Sequence, residues 1–186
     1  MKHPSNQEFF AYWDEKRADA RAPDRGEIEP EAVRELLGDI FVLSYDSAAG
    51  YPFRVAGTRL CALLGRDLKD RSFSELFVQE GRREIEDIIT VVTEEMLAAL
   101  AGITATSEDG APAHLELLLL PFNNRAHTPL SLTGLLAPFG NGHGRLRDFR
   151  LTSWRYLGHP PAQRLVPRTL RKLKIAQGLM VYEGLR

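Results

Sequence analysis

Apolar residues recur at Ile85, Ile88, Ile89, Val92 and Met96, with Glu84, Glu86, Asp87 and Glu94 outside that stripe. This i, i+3, i+4, i+7, i+11 spacing predicts an amphipathic helix over residues 82–99. A second helix is predicted over 6–20, where Phe9, Phe10, Trp13 and Ala20 share a face. Ala22-Pro23 marks its end. Glu29-Pro30-Glu31 then opens a short helix carrying Val33, Leu36, Leu37 and Ile40. From Phe41 the period changes to that of strands. Residues 41–45 and 53–57 read as a hairpin around the turn at 46–50. Thr58 is expected to cap a short helix that Gly65 ends. Three further strands are predicted over 100–106, 114–122 and 130–138, separated by the Glu108-Asp109-Gly110 turn and the Asn123-Asn124-Arg125 loop. Another strand follows at 149–157, then the stiff His159-Pro160-Pro161 connector and a basic helix over 165–179.

The strand at 114–122 is apolar on both sides. Leu115, Leu117 and Leu119 lie on one face, while Leu118, Leu120 and Phe122 share the other with Glu116. An antiparallel sheet commonly leaves one face wet. The second face here must therefore be covered, either by the N-terminal helix with Phe9, Phe10 and Trp13 or by a second subunit. Those six apolar residues (Phe9, Phe10, Trp13, Leu118, Leu120 and Phe122) form the expected dimer or partner interface.

Two strands, short helices, one long helix and three strands, in that order over residues 41–140, resemble the PAS domain. Arg54-Val55-Ala56-Gly57-Thr58 followed by Leu64-Gly65-Arg66-Asp67-Leu68 looks like the strand, helix and Gly-Arg joint of that family. Tyr12-Trp13, Pro23-Asp24-Arg25 and Ile28-Glu29-Pro30 are similar to a bacterial family of stand-alone PAS-like proteins known mainly from alphaproteobacteria. The resemblance implies an α+β fold: a five-stranded antiparallel sheet with helices on one face and an N-terminal helical extension. It divides the chain into an extension at 1–40, a core at 41–140 and a basic extension at 141–186. It also implies a sensing or docking module that often dimerises through the helix before the sheet. It supplies no ligand, because a fold does not fix a function.

Composition narrows the chemistry. The 186 residues carry a net charge of −1, but residues 145–186 hold ten Arg or Lys against Asp148 and Glu183. The basic tail offers a nucleic-acid or anionic-membrane contact, disfavoured because no DNA-reading motif accompanies it. Cys61 is alone, which excludes an intramolecular disulfide and a Cys-rich metal site. No run of 18 apolar residues exists and the N-terminus does not read as a signal peptide, so the expected location is cytoplasmic. His3, His114, His127, His143 and His159 include no i, i+4 pair that would signal a metal site. Neither a nucleophile elbow nor a phosphate-binding Gly-Lys-Ser/Thr loop is present. Arg145-Leu146-Arg147-Asp148 has an Arg-x-x-Asp spacing seen in some cyclic-dinucleotide sites, a pattern common by chance.

No cofactor is expected. Flavin photosensors of the PAS class place a reactive cysteine just after the Gly-Arg joint, where this chain has Leu68 and Lys69; Cys61 lies earlier. Haem-binding PAS domains usually draw a histidine from the long helix, and none occurs between Tyr12 and Ala113. Flavin and haem are both disfavoured. A ligand would sit between sheet and long helix, lined by Phe53, Val55, Leu63, Phe73, Ile85, Ile88, Ile89, Val92, Leu117 and Leu132. A small apolar molecule suits that lining, and a filled core explains the same residues equally well. The expected function is a non-catalytic sensory or regulatory domain that binds a small ligand, a protein partner or both, as a homodimer. The alternatives are a ligand-free dimerisation or adaptor protein, a small-molecule enzyme, and a nucleic-acid binder.

Overall fold

The computed structural model describes residues 1–124, 127–140, 142, 144–157, 171–175 and 179–183, the last two segments by backbone alone. Helix α1 spans Pro4–Arg17. Proline suits its first turn, and Lys16 and Arg17 complement the carbonyls of its last. The helix stops short of Ala20 because Ala18 leaves the helical region, and the Arg17 guanidinium donates to the Ala20 carbonyl at 2.9 Å. Residues 30–40 form no helix beyond a 3₁₀ turn at Arg34–Leu36. Ile40 instead opens strand β1 (Ile40–Ser44), paired with Leu135. A stretch this short nucleates poorly, and sheet pairing overrides its helical spacing.

Strand β2 (Phe53–Ala56) closes the hairpin, whose turn is fixed by Asp46 Oδ1 accepting from the Ala48 and Ala49 amides. Helix α2 is Thr58–Leu64; Gly57, not Thr58, occupies the N-cap, and Gly65 ends the helix at φ 63°. A 3₁₀ turn at Phe73–Leu76 leads into α3 (Gln79–Glu95). The long helix begins and ends three and four residues earlier than its apolar stripe implies. Met96 turns left-handed at φ 53°, freeing Ala98 to start β3 (Ala98–Ser107). Strands β4 (Pro112–Pro121), β5 (Ser131–Pro138) and β6 (Leu146–Leu157) follow.

The fold is α+β, with a six-stranded sheet in the order β2-β1-β5-β4-β3-β6 and antiparallel neighbours throughout. Five of these strands reproduce the expected sheet. The sixth, β6, extends it at the β3 edge, so the strand read from the tail is part of the sheet. The helix expected over 165–179 is corrected at 171–175, which form β7 (Arg171–Ile175), paired with β8 (Leu179–Glu183). The rest of that call, and the His159-Pro160-Pro161 connector, lie outside the described residues.

Sheet alternation produces two cores. Leu115, Leu117 and Leu119 join Phe41, Phe53, Phe73, Ile85, Ile88, Ile89 and Val92 between the sheet and α3. Leu118, Leu120, Leu135 and Leu100 join Phe9, Trp13, Val33 and Leu36 on the opposite face. Gly134 lies across from Phe41 in the β1–β5 pair, and its missing Cβ leaves the space that the Phe41 ring fills.

Candidate functional site

Eight of the ten residues expected to line a pocket are at most 2% exposed: Phe53, Phe73, Ile85, Ile88, Ile89, Val92, Leu117 and Leu132. Their neighbours fill the interior. Phe73 stacks on Phe41 with ring centroids 5.1 Å apart and meets Phe53 at 5.5 Å and Phe77 at 5.7 Å; Phe77 meets Phe149 at 6.1 Å. Leu63 is half-buried at the margin of this core. Val55 lies elsewhere. The β1–β2 register shifts between Val42 and Leu43, so Phe53 opposes Leu43 while Val55 opposes Val42 on the outer face. Val55 is 51% exposed there. A one-residue bulge exchanges strand faces, and sequence alternation cannot reveal it.

Polar contacts tie the interior down at its edges. Tyr51 and Thr93 share a hydrogen bond of 2.8 Å, and the Asn124 amide donates to the Thr93 carbonyl at 3.1 Å. Burial raises the Tyr51 phenol above its usual value, opposed by the bond to Thr93. At the other edge the Trp154 indole N–H donates to Glu84 at 2.9 Å. Tyr156 is pushed up to about 12, first by burial and then by the charge of Asp87. Strand β6 is thereby latched to α3.

On the outer face, the residues expected to form an interface lie within the chain's own fold. Phe9, Trp13, Leu118, Leu120 and Phe122 are buried; Phe10 is partly buried and stacks on Trp13 at 6.0 Å. The Trp13 indole donates to the Pro121 carbonyl at 3.0 Å. Beside this apolar seal sits a polar clasp. Glu116 is the one buried charged side chain among the described residues. Its carboxylate accepts from the backbone N–H groups of Lys2 at 2.7 Å and His3 at 2.9 Å, and from the Asn6 side-chain amide at 3.1 Å. Asn6 also donates to the Glu116 carbonyl at 3.1 Å. Burial alone would raise the Glu116 carboxyl. The N–H groups of His3 and Lys2, the Asn6 amide and the positive amino terminus outweigh it and hold the group below its usual range. Charge patterning gave no sign of this partner set, because Glu116 reads as a lone polar position on a strand that is apolar on both faces.

Open volume occurs at the rim. A groove of about 610 Å³ lies where the end of α2, the start of α3 and the first half of β6 converge. Leu64, Leu76, Phe77, Leu146 and Phe149 contribute apolar lining, and Arg66, Arg82, Arg147, Arg150, Glu75, Glu80 and Asp148 contribute charge. A bulge in β6 opposite Thr104–Thr106, with Asp148 at φ 56°, seats Phe149 in the interior beside Phe77. The Arg147 and Asp148 of the Arg-x-x-Asp sequence line this groove.

His114 and Asp67 are exposed, and Glu116 faces α1, not the interior. Cys61 is partly buried against the inner core. Among the described residues no three His, Cys, Asp or Glu side chains converge as metal ligands, and no helix is long and apolar enough to cross a membrane.

A sequence profile described as a PAS domain matches residues 1–137. Among curated proteins no sequence matches. The fold is similar to a light-oxygen-voltage domain studied with a flavin analogue, at 12% identity over 59% of this chain and 83% of that one, TM-score 0.47. It is similar to the LOV protein of Rhodobacter sphaeroides, at 12% identity over 75% and 69% of the two chains, TM-score 0.45. It is also similar to a PAS domain from Colwellia psychrerythraea, at 13% identity over 60% and 98%, TM-score 0.44.

Proposed function

The chain belongs to the PAS domain family, a family of sensory signalling modules, and on that premise we propose that it is a non-catalytic regulatory domain whose output element is α1. Residues 1–40 then act as a removable cover, 41–140 as the sensing body, and 141–186 as an extension that adds a strand to that body. The observation that carries this is the clasp at Glu116. An apolar sheet face wide enough to pack Leu100, Leu118, Leu120 and Leu135 is sealed by α1, fastened through a buried ionised carboxylate and backbone N–H groups. Release of α1 exposes that face to a protein partner, including α1 of a second copy. A homodimer by exchange of this helix needs no contact that the chain does not already make with itself.

Flavin and haem stay outside this reading. Four phenylalanine rings occupy the space between sheet and α3, and Leu68, just after the Gly-Arg joint, is completely buried. A tricyclic or tetrapyrrole ring fits there only by displacing them. The same packing favours a second reading, an adaptor that binds protein and no small molecule. A small apolar ligand in the interior requires these rings to move apart; native mass spectrometry that finds extra mass on the purified chain rejects the adaptor.

Native-state hydrogen exchange tests the output element. We expect amides of residues 6–17 to open with a lower free energy than those of α3 and β3–β5, and Glu116→Gln to widen the gap. Exchange of α1 only through global unfolding, in both proteins, would mean that the helix is a fixed part of the core.

A further inference from the structure

Among the described residues, β6 is the open edge of the sheet. The opposite edge strand, β2, is four residues long and is covered by the segment after α2. There the Phe53 amide donates to the Arg71 carbonyl and the Phe53 carbonyl accepts from the Asp70 amide, each at 2.9 Å. Strand β6 has twelve residues and pairs with β3 on one side. On its other side the described backbone meets it only at Phe149, whose carbonyl accepts from the Val78 amide at 3.1 Å. Residues 150–157 therefore present a row of outward N–H and C=O groups, the template to which an extended chain adds.

The two faces of this row differ in chemistry. Leu151, Trp154 and Tyr156 lie opposite Ile103, Ala101 and Ala99 on the α3 face, where all three are partly buried. Arg150 and Arg155 lie opposite Thr104 and Leu100, on the outer face, and both are exposed. The register shift between Gly102 and Ile103 puts these two arginines on one face although they are an odd number of positions apart. Arg150 borders the rim groove through the strand itself, while its register sets it on the outer side. No ion pair joins Arg150 or Arg155 to a described carboxylate. Thr104, Gly102 and His114 surround them on β3 and β4, and Glu116, in the row of Gly102, is spent on the clasp.

We propose that the β6 edge takes up an extended acidic segment of a partner protein as a seventh strand. Carboxylates at alternate positions of that segment face Arg150 and Arg155, and the apolar positions between them lie beside Leu151, Trp154 and Tyr156. Backbone pairing supplies the attachment and the alternation supplies the selectivity. The charge on the row decides against the strands this chain could offer itself. A second copy of β6 carries only arginine as its charged residues beyond Asp148, and a two-fold pairing of edges keeps both sets of arginines on one face. Strand β7 has Arg171, Lys172 and Lys174 as its polar positions and brings no carboxylate either. Like charges set across neighbouring strands destabilise the pair, whereas opposite charges stabilise it.

The test uses the full chain and a capped peptide alternating Glu and Val over about eight residues, the length of the open row. Its controls are peptides alternating Lys with Val and Glu with Pro, and a thymidine oligonucleotide of equal charge. Isothermal titration should show binding of the Glu–Val peptide, weaker as salt is added. Hydrogen exchange should slow at amides within residues 150–157 and stay unchanged in β2. Arg150→Glu and Arg155→Glu should each weaken binding about fivefold. The double variant should instead prefer the Lys–Val peptide, a gain that also shows it to be folded. Absence of Glu–Val binding overturns the proposal, as does slowed exchange confined to β2. Equal binding of the Glu–Pro peptide would reduce the contact to charge alone, and tighter binding of the oligonucleotide would assign the arginines to nucleic acid. Either result rejects strand addition. Failure here is distinct from failure of the α1 proposal, which hydrogen exchange at residues 6–17 reads separately.

Discussion

Leu115, Leu117 and Leu119 on one face of β4 share a core with α3 and the phenylalanine cluster, whereas Leu118 and Leu120 on the other face meet Phe9 and Trp13 of α1. The two faces bury comparable side chains, but their lids are attached differently. α3 is joined to the sheet at both ends of the helix, through β6 contacts at Val78 and through the direct run into β3. Its packing surface is apolar apart from the Tyr51–Thr93 pair and the Trp154–Glu84 bond at its edges. α1 precedes the sheet in the chain and adds a charged clasp to its apolar contacts. A lid tied at both ends opens only when the domain unfolds, while a lid joined to the sheet through one connection, as α1 is through residues 18–39, opens at the cost of its own contacts. The inner core thus sets global stability, and the outer core sets how often the sheet face is exposed.

The largest effect that follows is at the inner face. Phe73 touches the rings of Phe41, Phe53 and Phe77 and is 1% exposed, so Phe73→Ala leaves a cavity that neighbours on the sheet cannot close. We expect a loss of about 3–5 kcal/mol in urea unfolding, with all probes reporting one transition. Trp13→Ala removes a comparable volume from the outer face together with the 3.0 Å bond to Pro121. Its cost in global unfolding should be smaller, about 2–3 kcal/mol, because it cannot exceed the energy with which α1 docks. The two variants should also differ in kind. Protection in Trp13→Ala should fall at residues 6–17 and persist in α3. A uniform fall across both helices would erase the distinction between the two faces.

Much of this architecture is legible in the sequence because two periods dominate it. The α3 stripe survives in the fold almost residue for residue, since every one of Ile85, Ile88, Ile89 and Val92 meets the sheet. Strand β4 declares two covered faces through its unbroken leucines. Legibility fails where register shifts intervene. The β2 bulge turns Val55 away from Phe53, and the β6 bulge at Asp148 conceals Phe149 as a core residue. It fails again at residues 30–40, where Val33, Leu36 and Ile40 have helical spacing but are claimed by a turn and a strand. The groove and the clasp are invisible for another reason. Each draws residues from distant segments: Glu116 with Lys2, His3 and Asn6, or Leu64 with Leu146. No local pattern records such meetings.

The smallest expected effect sharpens the comparison most, because among the described residues only the outer face holds a buried carboxylate. The folded-state pKa of Glu116 is depressed, against an unfolded value of about 4.3. Its contribution to stability is therefore fully present above about pH 4.3 and is lost as pH falls through the lower folded value. Glu116→Gln replaces a charged acceptor by a neutral one, and should cost about 1–3 kcal/mol at neutral pH. It should cost much less at a pH below both values, where the parent has lost the same charge. Protonation acts on the clasp first, so amides of residues 6–17 in the parent should lose protection before those of α3 as the solution is acidified. If acid opens both helices together, or if Glu116→Gln keeps the parent's full pH dependence in that range, the carboxylate is not what fastens α1, and the two faces of β4 differ only in the position of their lids along the chain.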